Sequence, residues 1–166
     1  MPNATKSKQA ARRQLAAALR AQQKRAATSS PSRPSPPWHN ATWMNCGIYD
    51  QPVPSERAVH NLEHGAVWIT YRPSLPQSQV SQLRAFVDKQ TMVPSAEGAA
   101  SRYLDLSPYP GLPSPIVISS WGFQLKVTSP ADPRLQHFVN KFRAAQKYTP
   151  EYGGACTGGV GTPLRS

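Results

Sequence analysis

Three of the four histidines, His39, His60 and His64, fall within 26 residues of one another. His60 and His64 are four apart, so a helical turn projects both imidazoles from one face, where they can share a metal ion. With Glu63 between them the string reads His-x-x-Glu-His, the spacing in which two histidines hold zinc and a glutamate acts as general base in one group of metalloproteases. His39 offers a third nitrogen from a segment that also carries Met44 and Cys46. Three imidazoles suit zinc or copper, and a Met44 or Cys46 sulfur would tilt preference toward copper. Glu63 has a second reading, as a carboxylate that orients a metal-bound imidazole.

Cys46 and Cys156 are the only cysteines, 110 positions apart near the two ends of the body. In an oxidising compartment they would staple those ends together, which the chain-entropy model values at up to about 4.7 kcal/mol. In a reducing cytosol they would stay thiols and compete as metal ligands. Neither has a CxxC partner or a nucleophile context, which favours the disulfide. The glycine-rich run 153–161 has no strand before it, no helix after it and no lysine within it, so it is not a phosphate-binding loop. No serine sits in a GxSxG elbow. Trp38, Trp43, Trp68 and Trp121 read as packing residues, because no basic residue interleaves with them as in a base-stacking platform.

Several elements must position these groups. Pro52, Pro54 and Gly65 confine any helix around His60 to about ten residues, too short for the long flanked helix of a metalloprotease. Residues 66–71 are β-branched and aromatic and read as a strand. Residues 76–90 place Val80, Leu83, Phe86 and Val87 at helical spacing behind Pro76. Residues 102–107, 116–121 and 123–128 read as strands, the last two split by Gly122. Residues 132–148 form an amphipathic helix with Leu135, Phe138, Val139 and Phe142 on one face and His137 on the polar side. This order predicts an α+β fold: a single small domain with an antiparallel or mixed sheet covered by two helices.

The chain has 166 residues, room for one domain and a tail. Its formal net charge is +11, but residues 1–33 carry +8 of it and hold no acidic residue. Residues 6–27 are rich in helix formers and 29–37 form a Ser/Pro linker, which divides the chain into a basic helical tail over 1–35 and a globular body over 36–166. The body's +3 is a weak polyelectrolyte footprint, so any anionic membrane surface or nucleic acid is expected to meet residues 1–33. No stretch is apolar and long enough for a signal peptide or a membrane span, and by itself this reads as a soluble, cytoplasmic chain.

The runs WMNCGIYDQPVPSERAVHNLEHGAVWITYRP and SPYPGLPSPIVISSWGFQL, with the closing PE and CTGGVGTP, resemble the bacterial family called domain of unknown function 3105 over about residues 36–163. The resemblance puts His39, Cys46, His60, Glu63, His64, Trp121 and Cys156 on the family's motif positions. It implies an extracytoplasmic domain behind a basic cytoplasmic tail and one membrane span, at the cell surface or in the periplasm, and carries no established activity. This chain departs from the pattern in two places. The apolar anchor expected between Arg25 and Pro36 is absent, and the Gly-rich approach to His39 is replaced by Pro36, Pro37 and Trp38.

The leading expectation is a non-hydrolytic metal-binding domain. His60 and His64 are its ligands, His39 or Met44 the third, and Glu63 an orienting group or occasional ligand, with copper the first candidate ion and zinc the second. Its task would be sequestration or delivery of the ion. Two alternatives remain open: a zinc-dependent hydrolase with Glu63 as base, and an interaction module whose histidines are structural. If the tail is the polyanion-binding element, deleting residues 1–33 abolishes salt-sensitive binding to DNA in a mobility-shift assay; retention of that binding by the truncated body refutes the assignment.

Overall fold

The structure is a computed structural model that describes residues 39–166. The expected tail helix over 6–27, its linker, Trp38 and the tail-and-body boundary lie outside the described residues. In chain order the elements are β1 (Gly47–Ile48), α1 (Ser55–His64), β2 (Val67–Tyr71), α2 (Gln77–Asp88), β3 (Val93–Pro94), β4 (Ala100–Ser101), β5 (Leu104–Pro108), β6 (Ile116–Ser120), β7 (Phe123–Val127) and α3 (Pro133–Phe142), followed by a 3-10 turn (Gln146–Tyr148). Among the described residues no helix is long and apolar enough to cross a membrane.

Five strands form a mixed sheet in the order β1-β5-β2-β6-β7, and β3 pairs with β4 separately. The pairs β1/β5 and β5/β2 are parallel, while β2/β6 and β6/β7 are antiparallel. The fold is therefore the α+β domain with a mixed sheet that the strand and helix pattern implies. Central β2 is buried along its whole length, which is why residues 66–71 read as an unbroken apolar run rather than an alternating one. Its alternation still assigns the two faces. Val67, Ile69 and Tyr71 join Leu83, Phe86 and Val87 of α2 and Leu135, Val139 and Phe142 of α3 in the main core. Trp68 points the other way, into a smaller cluster with Met44 and with Ala58 and Leu62 of α1.

The sheet thus carries helices on both faces, α2 and α3 on one and α1 on the other, where the apolar periodicity indicated two. Helix α1 exposes the limit of that signal: it is largely polar and meets the sheet through few apolar side chains. It starts behind Pro54 and stops at Gly65, whose φ of 103° is the left-handed conformation glycine adopts without penalty.

Helix α3 ends at Phe142, short of the expected residue 148. It begins with Asp132 accepting from the Arg134 N–H at 2.9 Å and Pro133 in the first turn, a favourable start. At its other end Ala144 takes a positive φ of 47°, and its N–H donates to Gly65 O at 2.8 Å. A tertiary hydrogen bond to the end of α1 therefore overrides the helical periodicity. Tyr148 still packs on Phe142, with ring centroids 5.1 Å apart, which explains why it looked like a continuation of the helix face.

The two cysteines form the Cys46–Cys156 disulfide, buried beside Tyr103. Next to it lies Asp105, a fully buried carboxylate on β5. Asn61 of α1 donates to Asp105 Oδ2 at 2.8 Å and the Gly47 N–H donates to Oδ1 at 3.2 Å, while Asn61 Oδ1 accepts the Met44 N–H at 3.1 Å. This network ties α1 and the β1 segment to β5, the strand between β1 and central β2. Burial pushes the Asp105 carboxyl up to about 7, against the smaller opposing pull of the Asn61 and Gly47 donors.

The sign of the pH effect follows. Between the ordinary carboxyl value of 3.8 and about 7 the folded state binds the Asp105 proton more tightly than the unfolded state, so this group's contribution to stability falls as pH rises through that window. His60, whose pKa is lowered chiefly by burial, acts oppositely below its ordinary 6.5. The Asp105 part is isolated by comparison with Asp105→Asn. Urea denaturation at pH 4 to 8 is expected to show the wild type losing stability relative to the variant as pH rises; parallel curves would refute the assignment.

Candidate metal centre

Helix α1 is ten residues long, and its last five residues carry the chemistry. His60 and His64 lie one turn apart with ring centroids 4.6 Å from each other, and both are buried. Each is held by a backbone carbonyl through its inner nitrogen: His60 Nδ1 meets Asn40 O at 2.7 Å and His64 Nδ1 meets Ala155 O at 2.6 Å. A carbonyl only accepts, so Nδ1 carries the proton in each ring and Nε2 presents its lone pair. This is the tautomer and support that a metal-ligating imidazole requires. The pKa of His60 is lowered by burial, with His64 and His39 pushing the same way and Asn40 O and Glu63 pulling it up. A lowered pKa keeps the ring in the neutral, ligating form near neutral pH.

Two carboxylates and a third imidazole complete the cluster. Glu63 Oε2 lies 2.5 Å from His39 Nε2, and the His39 ring stands 4.7 Å from the His60 ring. His39 Nε2 is itself buried, and the Glu63 carboxylate is the charged group set against it. Glu151 Oε2 lies 3.3 Å from His64 Nε2 and 3.8 Å from His60 Nε2. For metal–donor bonds of about 2.0–2.2 Å in a tetrahedron, donors stand about 3.3–3.6 Å apart, so this edge already has the spacing of a ligand set. The donor atoms converge as two groups within 4.8 Å, His39–His60–Glu63 and His60–His64–Glu151. The C-terminal end of a helix carries partial negative charge, which favours a cation here.

The C-terminal segment positions much of this. The Glu151 N–H donates to Glu63 O at 2.9 Å, satisfying a carbonyl the helix end leaves free and setting the Glu151 side chain over the imidazoles. Gly154 lies against the His64 ring so closely that a Cβ there would come within 2.5 Å of Cδ2. Trp43 packs against both imidazoles, edge-on to His60 at a centroid distance of 6.0 Å and tilted to His64 at 5.5 Å, and its Nε1–H donates to Thr157 O at 3.1 Å. The glycine-rich run 153–161, which had no phosphate-binding context, is thus the packing partner of the histidines.

Of the residues singled out in the sequence, the structure brings His39, His60, His64 and Glu63 together and sends the sulfurs elsewhere. Met44 packs with Ala58 and Leu62, two positions from His60 and His64 and so about 200° round the helix, on its opposite side. Cys46 is consumed in the disulfide. His137 is exposed on α3 and Trp121 is exposed at the β6–β7 turn, apart from this cluster. Glu151 is the group sequence reasoning missed. It lies in an irregular segment 87 positions beyond His64, and its one signal was scarcity, since the chain holds eight acidic residues in all.

Replacing Gly154 with Ala tests the packing that sets His64. The ring is buried and pinned at Nδ1, so it has little room to give. Overpacking of this kind costs about 1–3 kcal/mol, and Gly154→Ala is expected to lower the denaturation midpoint accordingly. An unchanged midpoint would show that the ring is not wedged there.

Neither the curated proteins nor the solved structures contain a match to this chain. The family model described as "Protein of unknown function (DUF3105)" matches residues 22–158, which takes in the whole of α1, the sheet, α3 and the Glu151–Cys156 segment. The chain belongs to the DUF3105 family.

Proposed function

We propose that this domain binds a divalent transition-metal ion at the C-terminal end of α1, through the Nε2 atoms of its histidines and the carboxylates of Glu63 and Glu151. The observation that carries the reading is the pair His60 and His64, each with Nδ1–H spent on a backbone carbonyl and Nε2 aimed beside the Glu151 carboxylate. Five donors of nitrogen and oxygen, without sulfur, suit Cu(II) and Zn(II) and give no preference to Cu(I). Among first-row divalent ions such a set holds copper most tightly, and zinc is the second candidate.

Binding for sequestration or delivery is favoured over hydrolysis by the placement of Glu63. Its Oε2 sits against His39 rather than beside the His64 and Glu151 donors, where a base would have to meet a metal-bound water.

The test is elemental analysis of the purified protein with calorimetric titration of Cu(II) and Zn(II) into the apo form, alongside a His60→Ala, His64→Ala double variant. One equivalent of ion bound by the wild type and lost in the variant is the expected result. No metal and no heat from either ion would refute the proposal and leave these histidines as architecture.

A further inference from the structure

The geometry points to two alternative positions for one metal ion, with His60 as the ligand common to both, so that the ion exchanges between a His60–His64–Glu151 position and a His39–His60–Glu63 position. This rests on the metal-binding reading above and says how that site would work.

The donors converge as two triads, and His60 is the residue they share. An imidazole Nε2 has one lone pair and holds one ion at a time, so the two triads cannot both be complete. Rotation of the His60 ring does not remove the conflict, because Nδ1 is anchored on Asn40 O at 2.7 Å and fixes the direction of Nε2. The neighbouring rings flank it at nearly equal spacing, 4.7 Å for His39 and 4.6 Å for His64.

Each position also has the same composition, two imidazoles and one carboxylate. Equal donor chemistry gives comparable affinities, and comparable affinities a short distance apart favour exchange over a single trap. Both carboxylates retain solvent access, Glu151 with 59% of its side chain exposed and Glu63 with 17%. An ion can therefore enter beside one and leave beside the other. Three ligands from the protein leave room for water or an incoming donor at either position. That open coordination is what handing an ion to a partner requires.

A single site that draws on all three histidines makes a different prediction, and four proteins separate the two. Zn(II) and Cu(II) are titrated calorimetrically into the apo forms of the wild type, His39→Ala, His60→Ala and His64→Ala. The exchange arrangement gives one equivalent in the wild type. His39→Ala and His64→Ala each keep one equivalent with affinity lowered by less than about tenfold, because the other triad is intact. His60→Ala, which leaves a single imidazole and one carboxylate in either position, loses at least about a hundredfold. The Cu(II) electron paramagnetic resonance spectrum is expected to show two coordinated imidazoles in the wild type and in both flanking variants, and one in His60→Ala.

Equal losses at all three histidines, or three imidazoles on copper in the wild type, would overturn the two-position arrangement and leave the metal-binding proposal standing. Two equivalents in the wild type would overturn exclusivity. Absence of binding by the wild type would overturn both. Because an alanine in this packed cluster can destabilise the fold, Glu63→Gln and Glu151→Gln provide a second pair: each is expected to weaken binding modestly, and the double substitution much more than the two singles together. Strictly additive effects of the two would also overturn the arrangement.

Discussion

The last turn of α1 is finished by a part of the chain about ninety residues later, and the candidate site depends on that closure. A helix ends with carbonyls that have no partner of their own. Here the Glu63 carbonyl takes the Glu151 N–H and the Gly65 carbonyl takes the Ala144 N–H. In return the Ala155 carbonyl accepts from His64, and the neighbouring Cys156 is bonded to Cys46. The backbone bonds that cap the helix thus also deliver Glu151 and fix the direction of an imidazole.

The closure has costs elsewhere that the rest of the fold carries. Ala144 and Tyr103 both hold positive φ values, 47° and 51°, a conformation that residues with a Cβ rarely adopt. Tyr103 is fully buried next to the disulfide, and its hydroxyl donates to Gly154 O at 2.8 Å, so the strain supports the same segment that packs on His64. Strained backbone persists where the surroundings over-determine it, and here the disulfide, the sheet and the helix end all converge. Asp105 belongs to this junction as well. A fully buried carboxylate is expensive, and it is tolerated because it joins Asn61 of α1 to the backbone beside Cys46.

Helix α1 consequently works in three directions at once. Ala58 and Leu62 pack on Trp68 and hold it to the sheet, Asn61 reaches Asp105, and His60, Glu63 and His64 collect the other donors. A polar helix of ten residues is marginal by itself, so its geometry is set by these tertiary contacts and not by propensity.

Much of this was legible in the residues and some was not. The spacing of His60, Glu63 and His64 between Pro54 and Gly65 determined a short helix with two imidazoles on one side, because helical periodicity is a local property. The apolar runs likewise determined β2, the β6–β7 hairpin, α2 and the start of α3, and two lone cysteines near the ends of the body were enough to suggest their pairing. Met44 looked like a ligand because it is near His39 in sequence; only packing shows that its side chain follows Leu62 to the far side of α1. The end of α3 and the role of Glu151 were equally out of reach, since both are decided by hydrogen bonds to the last turn of α1. Sequence patterns carry what repeats every two or four residues. Which distant groups meet at a helix end is settled by satisfying its backbone carbonyls, and that exists only in the folded chain.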